Sequence, residues 1–376
     1  MQNTDNLDPD KVREIYPEGA EGQKQNEPKR IRGTRSLTRR KNFRPIILCF
    51  VMMILFGTGL HAALEGEISL GLGYSDNVFQ LSDYDMDRWD NEHENLSYVQ
   101  TTDDLSISTR LDLAYPIKYK WWKFTPSVSG VITRNISNTD KRRQDTLLRF
   151  RVDRHYWSAS ALYGYYPEIY YRHFNDSDGT GELQKYSYER NLYRADLILR
   201  PIKNLTAFGN LRYEDLYYNQ YFTEADGNTL TTELGARYSF QTISVQGSYS
   251  FREYKADSDQ VPSANDGSYE SNIYKGVLRY KMMPIVGNST AKTGWQPYLE
   301  LSREDRYYQG NDDWYGGREY SSTNTKAGVN VKLSPKWNLS LDYLHIFRNV
   351  DSPNESVTRL KEFSENRLSA MVKYKF

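Results

Sequence analysis

Apolar and polar residues alternate with a period of two through most of this chain, and this pattern constrains its fold more than any other feature. From residue 66 onward, alternating segments follow one another with polar breaks between them, and no stretch of 3.6-residue periodicity is long enough to compete. Successive side chains of a β-strand point to opposite faces, so each segment is a strand with one apolar and one polar face. The sequence therefore predicts an all-β fold.

The alternation and the breaks together predict fourteen strands. They cover roughly residues 67–80, 103–117, 123–136, 145–155, 158–172, 186–200, 205–216, 229–240, 243–254, 269–281, 295–306, 321–333, 337–348 and 363–376. The connections between them alternate between short turns and longer polar loops, with one exception at 282–294, which is long where a short turn is expected. Alternating connections of this kind indicate an antiparallel up-and-down sheet.

The last strand carries a further signal. Its apolar stripe ends on the terminal residue of the chain, and consists of Leu368, Ala370, Val372, Tyr374 and Phe376. This pattern resembles the closing strand of bacterial outer-membrane β-barrels, which the barrel-insertion machinery reads. The resemblance implies a bacterial outer-membrane location, with outer-membrane lipid, lipopolysaccharide and that machinery as partners.

Lipid leaves no place for an unpaired sheet edge, so strands that cross a membrane must close on themselves. The predicted fold is a closed antiparallel up-and-down transmembrane β-barrel of about fourteen strands. Barrels of eight strands are filled by their own side chains and those of 16–18 leave an aqueous channel. We therefore expect a lumen of intermediate size, unless a loop folds into it.

Aromatic residues are abundant, with 32 Tyr, 14 Phe and 7 Trp. Most of the tryptophans lie beside the predicted short turns, where an indole ring straddles the headgroup boundary, while pairs of tyrosines gather at the other strand ends. The predicted aromatic girdle on the short-turn side consists of Trp121, Trp122, Trp157, Trp295, Trp337, Tyr374 and Phe376.

The region before the barrel contains one long apolar run, from Pro45 to Leu60. A basic stretch precedes the run and the small residues Ala62 and Ala63 follow it, which is typical of a secretory signal peptide. We therefore divide the chain into an extended N-terminal leader, residues 1–63, and an outer-membrane barrel, residues 64–376. A permanent N-terminal anchor helix is the alternative. The polar stretch before the run is long for a signal, so either the leader is extended or translation starts further downstream.

Alternation also assigns the polar face of each strand to the lumen. Eight arginines on this face are candidates for contact with a translocated molecule: Arg110, Arg149, Arg151, Arg194, Arg212, Arg237, Arg252 and Arg279. Guanidinium groups hold carboxylates and phosphates in a bidentate fork, so a track of arginines suits passage of an anionic chain. The alternative is that they pair with Asp196, Glu214 and Glu233 and brace the wall.

Little in the sequence indicates an enzyme. No G-x-S-x-G or H-E-x-x-H motif is present, and His93 and His173 are the only externally placed candidates for a general base. The acidic loops are interpreted as solvated rather than as cation sites, so we predict no metal and no cofactor. The charge on residues 64–376 is slightly acidic, which gives no indication of nucleic-acid binding.

The first strand carries a second resemblance, at Gly71, Tyr74, Asp76, Asn77 and Val78. It resembles the opening strand of barrels found with exopolysaccharide or capsule secretion systems, which implies a saccharide cargo. The leading hypothesis is a porin-like channel for a polar, anionic saccharide or polysaccharide. A loop-plugged surface receptor or assembly barrel is the second hypothesis, and an outer-membrane hydrolase is the third.

Overall fold

The computed structural model describes residues 63–176, 180–257, 265–284 and 293–376. Nearly all of these residues belong to one antiparallel sheet. Its strands are β1 (Glu65–Ser75), β2 (Asp104–Ala114), β3 (Ile117–Tyr119), β4 (Trp122–Asn135), β5 (Arg143–Asp153), β6 (Trp157–Asn175), β7 (Leu183–Ile202), β8 (Leu205–Tyr218), β9 (Gly227–Ser239), β10 (Ile243–Ala256), β11 (Tyr269–Tyr280), β12 (Gly294–Tyr308), β13 (Glu319–Lys332), β14 (Trp337–Asp351) and β15 (Phe363–Lys375).

Each strand pairs with its neighbours along the chain, and the sheet closes between β1 and β15. That closing pair runs from Glu67 opposite Lys375 to Ser75 opposite Arg367. The short β3 only extends the hairpin between β2 and β4, so the described residues form a closed barrel of fourteen strands. The predicted fold class is confirmed.

The register separates two faces around the whole barrel. On β1, Leu70 and Leu72 are more than half exposed on the outer face, whereas Ser69, which directly precedes Leu70, is buried. Leucine, valine and tyrosine side chains repeat this outward exposure on the other strands. A continuous apolar outer surface of this kind is suited to lipid and not to water.

The main differences from the predicted strands lie at the outer ends, on the side of the long loops. β1 ends at Ser75 rather than near residue 80, and β6 and β7 extend further outward than predicted. Two short helices also occur in long connections: α1 (Asp83–Asp90) and α2 (Glu355–Lys361). Their N-caps, Ser82 and Asn354, accept hydrogen bonds from the first turns, but helices this short leave little periodicity in the sequence.

Residues Ser75, Asp76 and Asn77, which contain part of the first-strand motif, join the two ends of the barrel. The Ser75 hydroxyl donates to Glu365 at 2.6 Å, and the Asp76 carboxylate accepts from the backbone and side-chain amides of Asn366, both at 2.7 Å. The motif thus fastens β1 to β15 just where the chain leaves the sheet.

The predicted leader lies outside the described residues, apart from Ala63. Among the described residues, no helix has the length and apolar character needed to cross a membrane.

Asn77 provides a test of this seam. Its buried side-chain amide donates to the carbonyls of Leu81 and Ser364 at 2.8 and 2.9 Å, and its oxygen accepts from the Leu81 amide at 2.7 Å. We expect Asn77→Ala to lower the free energy of unfolding by about 2–3 kcal/mol, since a buried hydrogen bond contributes roughly 1 kcal/mol net. Urea unfolding in detergent micelles measures this. Asn91→Ala, which removes an exposed hydrogen bond within α1, should change it little; equal losses would contradict the role of Asn77.

Candidate functional site in the barrel interior

The register places all eight predicted arginines on the inward face. For example, Arg110 lies opposite the inward Ser69, and Arg237 lies opposite Gln246. The contribution of these arginines to translocation stays a prediction, but their arrangement is defined by the strand pairing.

Four of the eight share one row of the sheet with an arginine that the sequence interpretation had left out. From β5 to β12, the paired positions in this row are Arg149, Leu162, Arg194, Arg212, Thr231, Arg252, Ser271 and Arg306. We call Arg149, Arg194, Arg212, Arg252 and Arg306 the arginine row. Because barrel strands are tilted, a row perpendicular to them climbs along the barrel axis. The row begins in the inner half of β5 and ends near the outer end of β12.

Several interior arginines have a carboxylate partner, often two residues away on the same face of the same strand. Arg110 pairs with Asp112 at 2.6 Å, and Arg194 with Asp196 at 2.6 Å. The same spacing joins Arg151 to Asp153 at 2.7 Å.

Two other carboxylates that the sequence analysis named as partners also form contacts in the interior. Glu214 pairs with Arg190 at 3.2 Å, and Glu233 accepts from Asn210. Arg252 pairs across strands with Glu304 at 3.1 Å. Several of the interior arginines therefore form ion pairs that brace the barrel wall.

Bracing does not account for all eight arginines. Within the described ranges, Arg149, Arg212, Arg237 and Arg279 form no ion pair, in contrast to the neighbouring Arg194. Arg212 is moreover directly opposite Arg194 in the register and is repelled by it. Like charges at directly opposed positions destabilise a sheet unless an anion or solvent separates them. The middle of the arginine row thus has positive charge available for a ligand.

A cavity lies at the inner end of the row, beside the seam. It has a volume of about 330 Å³, and its polar lining includes Glu67, Arg110, Asp112, Arg149 and Lys375. Glu65 also lines the cavity, so three basic groups and three carboxylates face this inner entrance and their formal charges balance.

The predicted girdle residues lie at the same inner end. Trp122 contacts Trp157 edge-on with ring centroids 5.6 Å apart, and Trp337 packs on Tyr374 at 4.7 Å. Tyr374 also stacks on Phe376 at 6.4 Å. Trp121 and Trp295 are exposed on the surface there. This arrangement is compatible with a belt at the headgroup boundary, which stays a prediction.

At the outer end, the connection after β1 folds inward across neighbouring strands. Phe79 and Leu81 are almost fully buried and pack in one cluster with Tyr170 of β6, which is four strands away from β1 in the sheet. Arg172 of β6 holds the segment through the Phe79 carbonyl at 2.7 Å and the Asp85 carboxylate at 3.3 Å. Segment 76–100, which contains α1, is therefore anchored across the mouth.

The connection between β14 and β15 reaches the same place from the other side. The Lys361 ammonium of α2 lies 5.2 Å from the ring centroid of Phe174, and the Arg359 guanidinium lies 3.9 Å from that of Tyr84. Val357 of α2 is completely buried. Both helices thus narrow the outer mouth, which is the folded-in arrangement that the sequence-based expectation of an intermediate lumen had left open.

Arg172, Arg190, Arg306, Arg318 and Arg348 are interior or mouth residues that the sequence interpretation missed. Alternation contained a signal for Arg190, Arg306 and Arg348, because they have the same parity as inward neighbours on their strands. Arg318 precedes β13 in a long connection, where parity has no meaning. Two bulges in β6 obscure the direction of Arg172.

The two candidate histidines are engaged in the packing of this mouth. The ring of His93 contacts the Arg88 guanidinium at 3.1 Å, and burial followed by that positive charge lowers the pKa of His93. His173 bonds the Tyr170 hydroxyl at 2.7 Å and packs on Tyr98 with ring centroids 4.4 Å apart. Neither histidine is paired with a serine or a carboxylate in the described part of the chain.

Comparison with known proteins gives similarities of shape. No protein-family model matches the chain, and no curated protein matches it. A loop-deletion mutant of OmpT, an outer membrane protein of Vibrio cholerae, is 9% identical, with a TM-score of 0.45 over 84% of this chain and 99% of that one. A bacterial polysaccharide outer membrane secretin is 6% identical, with a TM-score of 0.45 over 82% and 98%. The outer membrane channel DcaP of Acinetobacter baumannii is 11% identical, with a TM-score of 0.45 over 85% and 98%. Similarities at this level carry no argument about cargo or activity.

The structure itself defines the class. A closed antiparallel barrel with an apolar exterior and a charged interior is a bacterial outer-membrane β-barrel, because only closure satisfies every backbone group in lipid. The predicted location in the bacterial outer membrane follows from this architecture.

Arg172 tests the anchoring of segment 76–100. We expect Arg172→Ala to release the segment, because its bonds to Phe79 and Asp85 are lost and Asp85 is left buried without this partner. Trypsin cleavage after Arg88, measured by mass spectrometry on the detergent-solubilised barrel, should become at least tenfold faster. Arg142→Ala, which removes an exposed ion pair with Glu168 at the same end, is the matched control. Equal cleavage rates in both variants would show that Arg172 does not hold the segment.

Proposed function

We propose that this protein is an outer-membrane channel for polar, anionic saccharides, which move along the arginine row. The observation that carries the proposal is the row itself, which climbs from the inner half of β5 to near the outer end of β12 and includes guanidinium groups without an ion-pair partner among the described residues. The proposal involves no covalent chemistry.

Transport requires binding strong enough for entry and weak enough for release, with several sites that exchange the cargo. The row meets this requirement because its members differ in how much of their charge is already neutralised. Arg194 and Arg252 share their charge with Asp196 and Glu304, while Arg149 and Arg212 do not. A carboxylate that moves past them would meet alternating strong and weak partners.

The outer half of the interior adds aromatic surface to this charge. Tyr254 and Tyr269 have ring centroids 5.2 Å apart, and Tyr269 and Tyr308 are 5.6 Å apart, on three adjacent strands. The Arg306 guanidinium at the end of the row lies 4.1 Å from the Tyr269 centroid. Rings that combine an apolar body with a hydroxyl suit the mixed polar and apolar faces of a sugar.

Removal of the unpaired charge tests the proposal. We expect Arg149→Gln combined with Arg212→Gln to shift selectivity towards cations by several-fold, measured as the reversal potential in a salt gradient across a planar bilayer. Addition of a uronic-acid oligosaccharide should block the wild-type current more strongly than a neutral oligosaccharide of equal length, and the double variant should lose this difference.

The matched control is Arg134→Gln combined with Arg303→Gln, since both arginines alternate with inward residues and therefore lie on the outer face. These changes should leave both the ion selectivity and the block of the current by the uronic-acid oligosaccharide as they are in the wild type. An unchanged reversal potential in the Arg149 and Arg212 double variant would refute the role of the row.

A loop-plugged receptor is the second candidate function, and the inward folding of segment 76–100 and α2 favours it. It requires that these segments stay in place during function. No conductance in the wild type, and none after Arg172→Ala releases the segment, would favour the receptor over the channel.

A further inference from the structure

The outer mouth contains a group of positive charges for which neither bracing nor the arginine row accounts. Arg318 is only 4% exposed, and its guanidinium lies between the rings of Tyr308 and Tyr320, 4.6 and 4.4 Å from their centroids. The Arg348 guanidinium lies 5.1 Å from the same Tyr320 centroid, and the Lys361 ammonium lies 5.4 Å from the Trp314 ring that Arg318 also contacts. We call Arg318, Arg348 and Lys361 the outer cation cluster.

The cluster has no carboxylate partner among the residues that the structure describes. The Arg318 side chain donates only to the Trp314 carbonyl, at 3.5 Å, and its Nε has no acceptor. Arg348 donates to the Ser322 hydroxyl at 3.2 Å, and the Lys361 ammonium faces the rings of Phe174 and Trp314. Glu304, which lies two strands from Arg348 in the same row, is already shared by Arg252 and Arg306.

Without a bound ligand, this arrangement of cations raises the free energy of the folded protein. A buried ion without a paired charge loses much of its hydration, and the three like charges also repel one another. Aromatic faces offset part of this through cation–π attraction, but leave N–H donors unsatisfied. The hydroxyl of Tyr320 is a further buried group without a partner in the described structure. An acceptor with negative charge would satisfy these donors and offset the repulsion.

We propose that the outer cation cluster binds an oxyanion, a carboxylate or phosphate group, at the extracellular mouth. The fork of Arg318 is the central contact, Arg348 and Lys361 add charge, and the Tyr320 hydroxyl adds a donor. The three cations come from the β12–β13 connection, from β14 and from α2, so a bound anion would hold these elements together. This site does not depend on the proposed transport role.

Lys361 gives the site a characteristic pH dependence. Burial, reinforced by the positive charges of Arg172, Arg318 and Arg348 and opposed by Asp85, lowers the pKa of Lys361 to about 7. A bound anion favours the protonated amine and raises this pKa again. Affinity should therefore increase as the pH falls through about 7, because more of the free protein already carries the charge that the anion needs.

Calorimetric titration of the full detergent-solubilised barrel with two probes, inorganic phosphate and a uronic-acid disaccharide, tests the proposal. We expect the wild type to bind at least one probe, and to bind the uronic acid, whose carboxylate stays ionised at both values, more tightly at pH 6 than at pH 8. Arg348→Gln and Lys361→Met should each weaken binding about tenfold or more, and Lys361→Met should also remove most of the pH dependence. Arg318→Gln should abolish binding, and the other two variants keep the test informative if it fails to fold.

Arg142→Gln, on an exposed outer connection, is the matched control and should bind as the wild type does. A preference for phosphate would indicate a phosphorylated ligand such as a lipopolysaccharide headgroup, and a preference for the uronic acid would indicate a saccharide. Binding of neither probe, or binding that Arg348→Gln and Lys361→Met leave unchanged, overturns the proposal. Neither result bears on selectivity in bilayers, so a failure here is distinct from a failure of the channel.

Discussion

Every backbone amide and carbonyl that faces lipid must be paired within the protein, and the rest of this structure depends on that requirement. An open sheet of fourteen strands would leave two unpaired edges in the membrane, at a cost of several kcal/mol for each exposed group. The pairing of β1 with β15 removes both edges. Hydrogen bonds from Ser75 and to Asp76 continue the contact with β15 beyond the last paired residues of the two strands. Without them, the chain would separate from β15 at this point.

Closure also explains why the interior can hold so much charge. Once one face of each strand is committed to lipid, the strict period of two sends every alternate side chain inward. Same-strand pairs such as Arg151 with Asp153 use this geometry, because residues two apart point the same way. The neutralised arginines brace the wall, and those without a described ion pair, such as Arg149, contribute positive charge to the interior that no neighbouring carboxylate neutralises.

The sequence was sufficient to predict features that follow from this period. Strand number, inward faces and closure all depend on alternation, which is local and easily read. The arginine row depends on register, which joins residues as distant in sequence as Arg149 and Arg306 and is only weakly specified by any one strand. The helices of the outer mouth were not predicted because α1 and α2 are short and are stabilised by tertiary contacts, including those of Asp85 with Arg172. Arg318 could not be assigned at all, since its burial depends on how its own connection packs against Tyr308 and Tyr320 at the ends of β12 and β13.

Arginines without an ion-pair partner in the described structure occur at two levels of the barrel, the inner cavity and the outer mouth, and their surroundings differ. Around the inner cavity, Arg149 faces space that is open enough for water, so its charge is tolerable without a partner. At the outer mouth, Arg318 is enclosed by tyrosine rings and has no such solvation. In the proposed function, the same residue type would make a weak, exchangeable interaction at one level and bind a specific acceptor at the other. A cargo that moves along the row would have to pass this second level, so whatever occupies the outer cation cluster also determines how freely the mouth can open.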